Sequence, residues 1–163
     1  MRSLGLLLLR IVVGGTMMAH GFPKLFGGPD KEPPEKALKV LGPNWEGFFK
    51  GSGPKNFAGY LEQLELPYPQ VGAYASGIAE FFGGLGLLLG FKSRLAALAI
   101  IGNLSVAIWK VHWKNGYFGQ GGFELPLSLA TGAATVALAG PGNLSVDALT
   151  SCCCKCKEEK EPD

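Results

Sequence analysis

The chain has 163 residues, 47% of them hydrophobic and only 17% charged, with a formal net charge of +2. A water-soluble domain usually carries about 25% charged residues, so this composition argues against an ordinary soluble core-plus-surface protein. The small net charge, with no basic helix and no aromatic-basic interleaving, gives no support for a nucleic-acid partner.

The charges are also unevenly placed. Between Leu66 and Asp147 the only formal charges are Glu80, Lys92, Arg94, Lys110, Lys114 and Glu124. Apart from Arg2, Arg10 and Asp147, the rest crowd into Lys24–Glu65 and the last nine residues. Long apolar stretches separated by polar loops are the pattern of membrane-spanning helices. Glycine is abundant, 25 of 163, and small residues let membrane helices approach closely.

In chain order, Leu4–Phe22 reads as a first spanning helix. It contains Arg10 and no clear small-residue cleavage site, so it reads as retained rather than as a signal peptide. Gly21-Phe22-Pro23 helps end it. A long Pro/Gly-rich loop follows, from Lys24 to about Gln70, with two short amphipathic helices inside it, Glu35–Leu41 and Asn56–Leu64. The second places Phe57, Tyr60, Leu61 and Leu64 at helical spacing and reads as lying on the membrane surface. Pro67 and Pro69 break the chain before a second spanning helix, Val71–Leu89. After the basic turn Lys92-Ser93-Arg94 comes a third, Leu95–Trp109, with Trp109, Trp113 and Tyr117 suited to an interfacial belt. A Gly-rich loop leads to a fourth, Glu124–Ala139, ended by Gly140-Pro141-Gly142. These segments sit near the short end of the roughly 17–25 residues a span requires.

The expected fold is therefore all-α: an integral membrane four-helix up-down bundle over residues 1–149 with a long first loop. A Cys-rich, charged and disordered tail follows over 150–163. Four crossings put both termini on one side. The first loop, with six lysines and six acidic residues, does not decide which side. The short Lys92–Arg94 turn places the termini in the cytoplasm.

Each helix carries a small or polar stripe expected to face the bundle interior. These are Arg10, Gly14, Met17, Gly21 and Lys24 in the first, and Ala73, Ser76, Gly77, Glu80, Gly83 and Gly84 in the second. The third has Ala96, Ala99, Asn103 and Ala107, and the fourth Glu124, Ser128, Thr131 and Thr135. At about 1.5 Å per residue, Arg10 lies roughly 9 Å, Glu80 roughly 15 Å and Asn103 roughly 13 Å from the cytoplasmic side. Lone charges at such depth are costly, which predicts an Arg10–Glu80 ion pair with Asn103 bonded to it. Such a pair serves either chemistry or only helix register.

A second cluster is expected at the opposite face, where His20 and Lys24 end the first helix, His112 ends the third and Glu124 opens the fourth. Two imidazoles, an amine and a carboxylate suit a quinone head group or a proton relay. His112 faces the bundle only if its helix ends or unwinds near Lys110. Ordinary snorkelling at the interface is the competing explanation.

Several of these residues fall in segments that resemble the DoxX family. They are Leu8-Leu9-Arg10, His20-Gly21-Phe22-Pro23-Lys24-Leu25-Phe26-Gly27, the run Glu80–Ala97, His112, Gly121-Gly122-Phe123-Glu124 and the run Gly140–Asp147. The resemblance implies a four-helix protein of the plasma (inner) membrane. It further implies a quinone-linked oxidoreductase subunit, of the thiosulfate:quinone type, or a redox-stress component. A quinone is the implied cofactor. The expected partners are the lipid bilayer, a membrane or peripheral redox protein and a second copy of the chain. By position Arg10, His20, Lys24, Glu80, Arg94, His112 and Glu124 match the family's recurring polar residues. The long first loop and the Cys-rich tail depart from the pattern.

In the tail, Cys152, Cys153, Cys154 and Cys156 are too crowded for a paired-arm zinc site. They suit a soft ion such as Cu(I), or acylation beside the membrane. Two other readings of the whole chain compete with an oxidoreductase subunit. One is a non-catalytic scaffold that docks partners on the first loop. The other is a small-molecule permease that uses the polar stripes.

Overall fold

A computed structural model describes residues 2–150; the four tail cysteines lie outside the described residues. The described residues fold into the α-helices α1 Arg2–Phe26, α2 Glu35–Leu41, α3 Asn44–Gly51, α4 Pro54–Gln63, α5 Pro69–Leu89, α6 Ser93–Ala107 and α7 Glu124–Ala139, with a further helical turn at 146–150. A π-helical turn, Ile108–His112, and a 3₁₀ turn, Trp113–Asn115, extend α6. α1, α5 and the continuous stretch Ser93–Asn115 are each long and apolar enough to cross a membrane, while α7 is apolar but shorter. Their outward faces carry Leu4, Leu8, Val12, Val71, Phe82, Leu95 and Leu98, all exposed, as lipid-facing surfaces require.

The antiparallel α1–α5 seam is the most extensive packing contact. Glycine makes it possible. A Cβ on Gly14 would sit 2.6 Å from the Gly84 carbonyl oxygen, and one on Gly84 would sit 2.6 Å from that of Gly14. Lower down, Gly21 abuts the Glu80–Phe81 backbone. Backbone-to-backbone approach of this kind is how helices associate where lipid removes the usual hydrophobic driving force. Around the seam Val13, Met17, Leu87, Ala97, Ile100, Leu104, Ala133 and Val136 form the buried core.

α1 runs four residues past Phe22, straight through the buried Pro23. Proline cannot donate to the carbonyl four residues back, which here belongs to Ala19. The Trp45 indole nitrogen of α3 donates to that oxygen at 2.9 Å, so the helix continues without an orphaned carbonyl. Trp45 and Phe49, both buried, stack near Phe22 at 6.1 and 6.0 Å between ring centroids. The long loop is thus folded structure. α4 packs Ala58 and Leu61 against Ala73 of α5 instead of lying free on a surface.

The interior stripes of α1 and α5 lie where the sequence places them, with Arg10, Gly14, Met17 and Gly21 buried against Ala73, Gly77, Glu80, Gly83 and Gly84. α7 is a correction. Its buried face is Pro126, Gly132, Ala133 and Val136, and Ser128, Thr131 and Thr135 point outward. Each of those hydroxyls donates to a carbonyl of its own helix four residues back, at 2.7, 2.8 and 3.0 Å. A hydroxyl satisfied in this way tolerates lipid, so polarity did not identify the inner face. In α6 the buried residues are Ser93, Ala97, Ile100 and Leu104, and Ala99 is exposed.

Arg10 does not meet Glu80. Its fully buried guanidinium donates from Nε to Leu87 O at 2.8 Å and from Nη2 to Leu88 O at 3.0 Å. Nη1 donates to Pro141 O at 2.7 Å and to Leu144 O at 2.8 Å. The first two carbonyls belong to the last turn of α5, where Leu87 O takes only the Gly90 amide from the backbone at 3.1 Å, and which presents the negative end of the helix dipole. The correction follows from register. The glycine contacts pair residues whose numbers sum to 98 to 102, so Arg10 is level with Leu88, and Glu80 lies about 12 Å along the helix.

Asp147 completes this polar knot. Its carboxylate accepts from the amides of Lys92 and Ser93 at 2.8 and 3.0 Å, and from Ser93 Oγ at 2.7 Å. It therefore caps α6, whose own N-cap residue supplies no side-chain bond. Burial alone pushes the Asp147 carboxyl up. The Ser93 amide and hydroxyl, the Lys92 amide and the Arg10 charge outweigh it and hold the group below its ordinary 3.8.

Arg10→Lys should lower the thermal midpoint in detergent nearly as far as Arg10→Met. A single ammonium cannot serve four carbonyls, and each one left bare costs about 1–3 kcal/mol. Gly90→Ala should also destabilise, since Gly90 has φ 69 and an added Cβ would lie 2.8 Å from Arg10 Nη2. Because folding depresses the Asp147 carboxyl, its stabilising contribution is complete above 3.8 and is lost as the pH falls through the lower folded value. Melting curves between neutral pH and about pH 3 should show a steeper acid loss for the native chain than for Asp147→Asn.

Candidate functional site

A cavity of about 960 Å³ lies at the opposite end of the bundle from the Arg10–Asp147 knot. α1, α5 and α6 form its floor, the folded loop helices α3 and α4 form one wall, and the first turns of α7 border it. Most of the lining is apolar, including Met17, Phe57, Tyr60, Leu61, Leu104 and Leu129. Four of the polar lining residues, Lys24, Ser76, Glu80 and Asn103, form one hydrogen-bonded cluster.

At their centre is Glu80, 5% exposed. Its Oε1 accepts from Lys24 Nζ at 2.6 Å and from Asn103 Nδ2 at 2.8 Å. Lys24 Nζ also donates to Ser76 Oγ at 3.1 Å and sits 4.4 Å from the centroid of the Phe57 ring. The arrangement is local in origin. Ser76 and Glu80 are one turn apart on α5, and the α1–α5 register brings Lys24 level with both. Glu80 Oε2 is buried and has no hydrogen-bond partner among the described residues.

His112 reaches the cavity through the π-turn. Five residues per hydrogen-bonded ring instead of four rotates the side chains that follow, and His112 turns from the outward face to the lining. Its Nδ1 lies 2.8 Å from Gly121 O. A carbonyl only accepts, so in the neutral ring Nδ1 carries the proton and Nε2 keeps its lone pair. His20 lines the mouth, with its ring edge-on to Phe48 at 5.7 Å. Lys110 borders the same space and lies 4.8 Å from the Trp109 ring.

Of the side chains singled out in the sequence, Lys24, His20, His112, Glu80 and Asn103 all line this one cavity. Glu124 does not; it opens α7, half-buried, away from the lining. Arg10 belongs to the knot at the other end. The two expected clusters are thus redistributed, with Glu80 and Asn103 joining the histidines. Sequence reasoning missed Ser76 as a ligand of Lys24, and missed α3 entirely as a wall. The aromatic spacing of Phe57 and Tyr60 was the available signal, but it does not say which surface the helix packs on.

A family model, DoxX, matches residues 5–113, about two thirds of the chain. The chain belongs to the DoxX family. The match spans α1 through the π-turn, and so includes Arg10, Lys24, Glu80, Asn103 and His112; α7 and the Gly140–Asp147 segment lie beyond it. No curated protein and no solved structure matches the chain. Family membership and the apolar helices together make this an integral membrane protein.

Lys24 and Glu80 should behave as a unit. Lys24→Met and Glu80→Gln should each destabilise the DoxX protein in detergent, and the double variant should lose less than the sum by about 1–3 kcal/mol. Glu80→Gln with Arg10→Met should be additive. The opposite pattern of couplings would show that the register across the seam is different.

Proposed function

We propose that the cavity binds a quinone and that the chain is the membrane subunit of a quinone-linked oxidoreductase. The observation that carries this reading is a large, mainly apolar cavity whose lining holds one buried hydrogen-bonded cluster, Lys24, Ser76, Glu80 and Asn103. Sites for amphiphilic ring compounds have this form: apolar walls for the ring and tail, with a few placed polar groups for the head. The donor set fits. The Lys24 ammonium and the Asn103 amide belong to that cluster, His112 Nε2 offers an acceptor, and Phe57 and Tyr60 provide ring faces.

A bound quinone would supply two-electron, two-proton chemistry. The side chains of this protein would orient the head group, exclude water behind the loop helices and hold protons at Lys24, Glu80 and the two imidazoles. Electrons would come from a separate redox protein docked at the membrane surface. We place the protein in the plasma membrane with four crossings and both termini in the cytoplasm. α7, at 16 residues, spans about 24 Å, and its flanking aromatics, Phe123 and Tyr117, would extend it to the interface.

The packing of the loop against α1 and α5 favours this reading over a scaffold that docks partners on a free loop. The permease reading fits less well, because the α1–α5 seam is closed by backbone contact at Gly14 and Gly84.

The purified protein in nanodiscs should bind a short-chain ubiquinone analogue, followed by quenching of tryptophan fluorescence. Asn103→Leu and Lys24→Met should weaken binding by about tenfold or more, the scale of one charge-assisted or buried hydrogen bond. Glu124→Ala should bind normally. Unaltered affinity in folded Asn103→Leu and Lys24→Met would remove the quinone site from this cavity.

A further inference from the structure

One acceptor in the polar cluster of the cavity has no donor among the described residues. Glu80 uses its two carboxylate oxygens unequally: Oε1 takes the Lys24 and Asn103 donors, and Oε2, buried, takes none among the described residues. Of the nearby donors, Lys24 is directed to Ser76, Glu80 Oε1 and the face of Phe57, and Asn103 to Glu80 Oε1; none of them reaches Oε2. A buried acceptor left bare bears its full desolvation cost, and buried polar atoms are nearly always satisfied. Glu80 borders the cavity, and the terminal torsion of a glutamate is soft. A modest rotation therefore presents the unused oxygen to the lumen.

We infer that the cavity selects a head group that brings its own hydroxyl donor, so that the reduced hydroquinone form is held more tightly than the oxidised diketone. This rests on the quinone reading of the same cavity and adds the redox state to it. A hydroquinone O–H donates to Glu80 Oε2; a quinone carbonyl meets the same oxygen lone pair to lone pair. Tighter binding of the reduced form makes the bound couple a stronger oxidant. A tenfold preference raises its two-electron midpoint by about 30 mV. The partner reaction is then one that delivers electrons into the bound ring, and the hydroquinone leaves slowly.

The test uses a redox-inert pair with one tail, 4-nonylphenol and its methyl ether, titrated against the full chain in nanodiscs in competition with the ubiquinone analogue. The phenol should bind at least about tenfold tighter, the ratio expected for one hydrogen bond to an ionised acceptor. In Glu80→Gln, Lys24 and Asn103 hold the amide oxygen and leave its NH₂ where Oε2 stood, so the preference should vanish or reverse. In the native protein, adding phenol but not ether should shift a buried carboxylate band in the infrared difference spectrum. That readout does not depend on the variant folding. Equal binding of phenol and ether, both displaced by the quinone analogue, overturns the hydroxyl preference and leaves the quinone site standing. If neither phenol, ether nor quinone analogue binds, the quinone reading fails and this inference with it. A phenol preference that survives Glu80→Gln, or no carboxylate shift on phenol binding, overturns the role of Glu80.

Discussion

The close approach of α1 and α5 at Gly14 and Gly84 sets the register on which both polar ends of the molecule depend. In a helix pair held apart by side chains, register drifts with the size of the residues between. Here backbone meets backbone, and a shift of even one residue would bring a Cβ against a carbonyl. With the register fixed, Arg10 arrives at the last turn of α5 and Lys24 arrives opposite Ser76 and Glu80. Neither meeting is set by mutual attraction alone. A guanidinium at the depth of Leu88 has four carbonyls in reach, and Glu80, about two turns away, is out of range.

Much of this architecture is legible in the residues. Charge scarcity and apolar runs identify the long helices, and the Gly/Ala/Ser stripes identify the inner faces of α1 and α5. The failures have physical causes. Pro23 reads as a helix end because its missing N–H leaves Ala19 O unpaired, and nothing local reveals that Trp45, 26 residues away, will satisfy it. The Arg10–Glu80 pairing came from counting depth independently on each helix, when the register is set between helices. The hydroxyls of α7 read as interior because exposed polar groups are costly in lipid, but Ser128, Thr131 and Thr135 satisfy themselves on their own backbone.

The first loop shows how a segment's role can be invisible in its composition. Its prolines, glycines and balanced charges look like an exposed connection, and its apolar residues look like a surface-lying helix. In the structure Trp45 plugs a backbone defect of α1, and Phe57 and Tyr60 face the cavity. The π-turn contributes on the other side. A regular α6 would have carried His112 to the outer face, and one widened turn delivers it to the lining. The cavity is thus made by two departures from the simplest four-helix reading, a folded loop and an irregular helix end. Those are the places where local sequence preference and final structure disagree, and such disagreement concentrates at functional sites.

The two polar ends differ in completeness, and that difference separates structure from chemistry. At the knot, Arg10 spends its donors on four carbonyls, and the Asp147 carboxylate takes three donors from the start of α6. Such an arrangement stabilises a fold and has nothing left to offer a ligand. At the cavity, the Lys24–Glu80 pair is also largely buried, but one carboxylate oxygen has no donor among the described residues, and the residue that carries it borders open space. If both pairs served only to fix register, selection for stability would favour closing the second as fully as the first, since a bare acceptor beside a buried ammonium costs more than an apolar replacement of the whole pair. An incomplete ion pair beside an apolar cavity is costly to stability alone, and a bound molecule that brought its own donor would offset that cost.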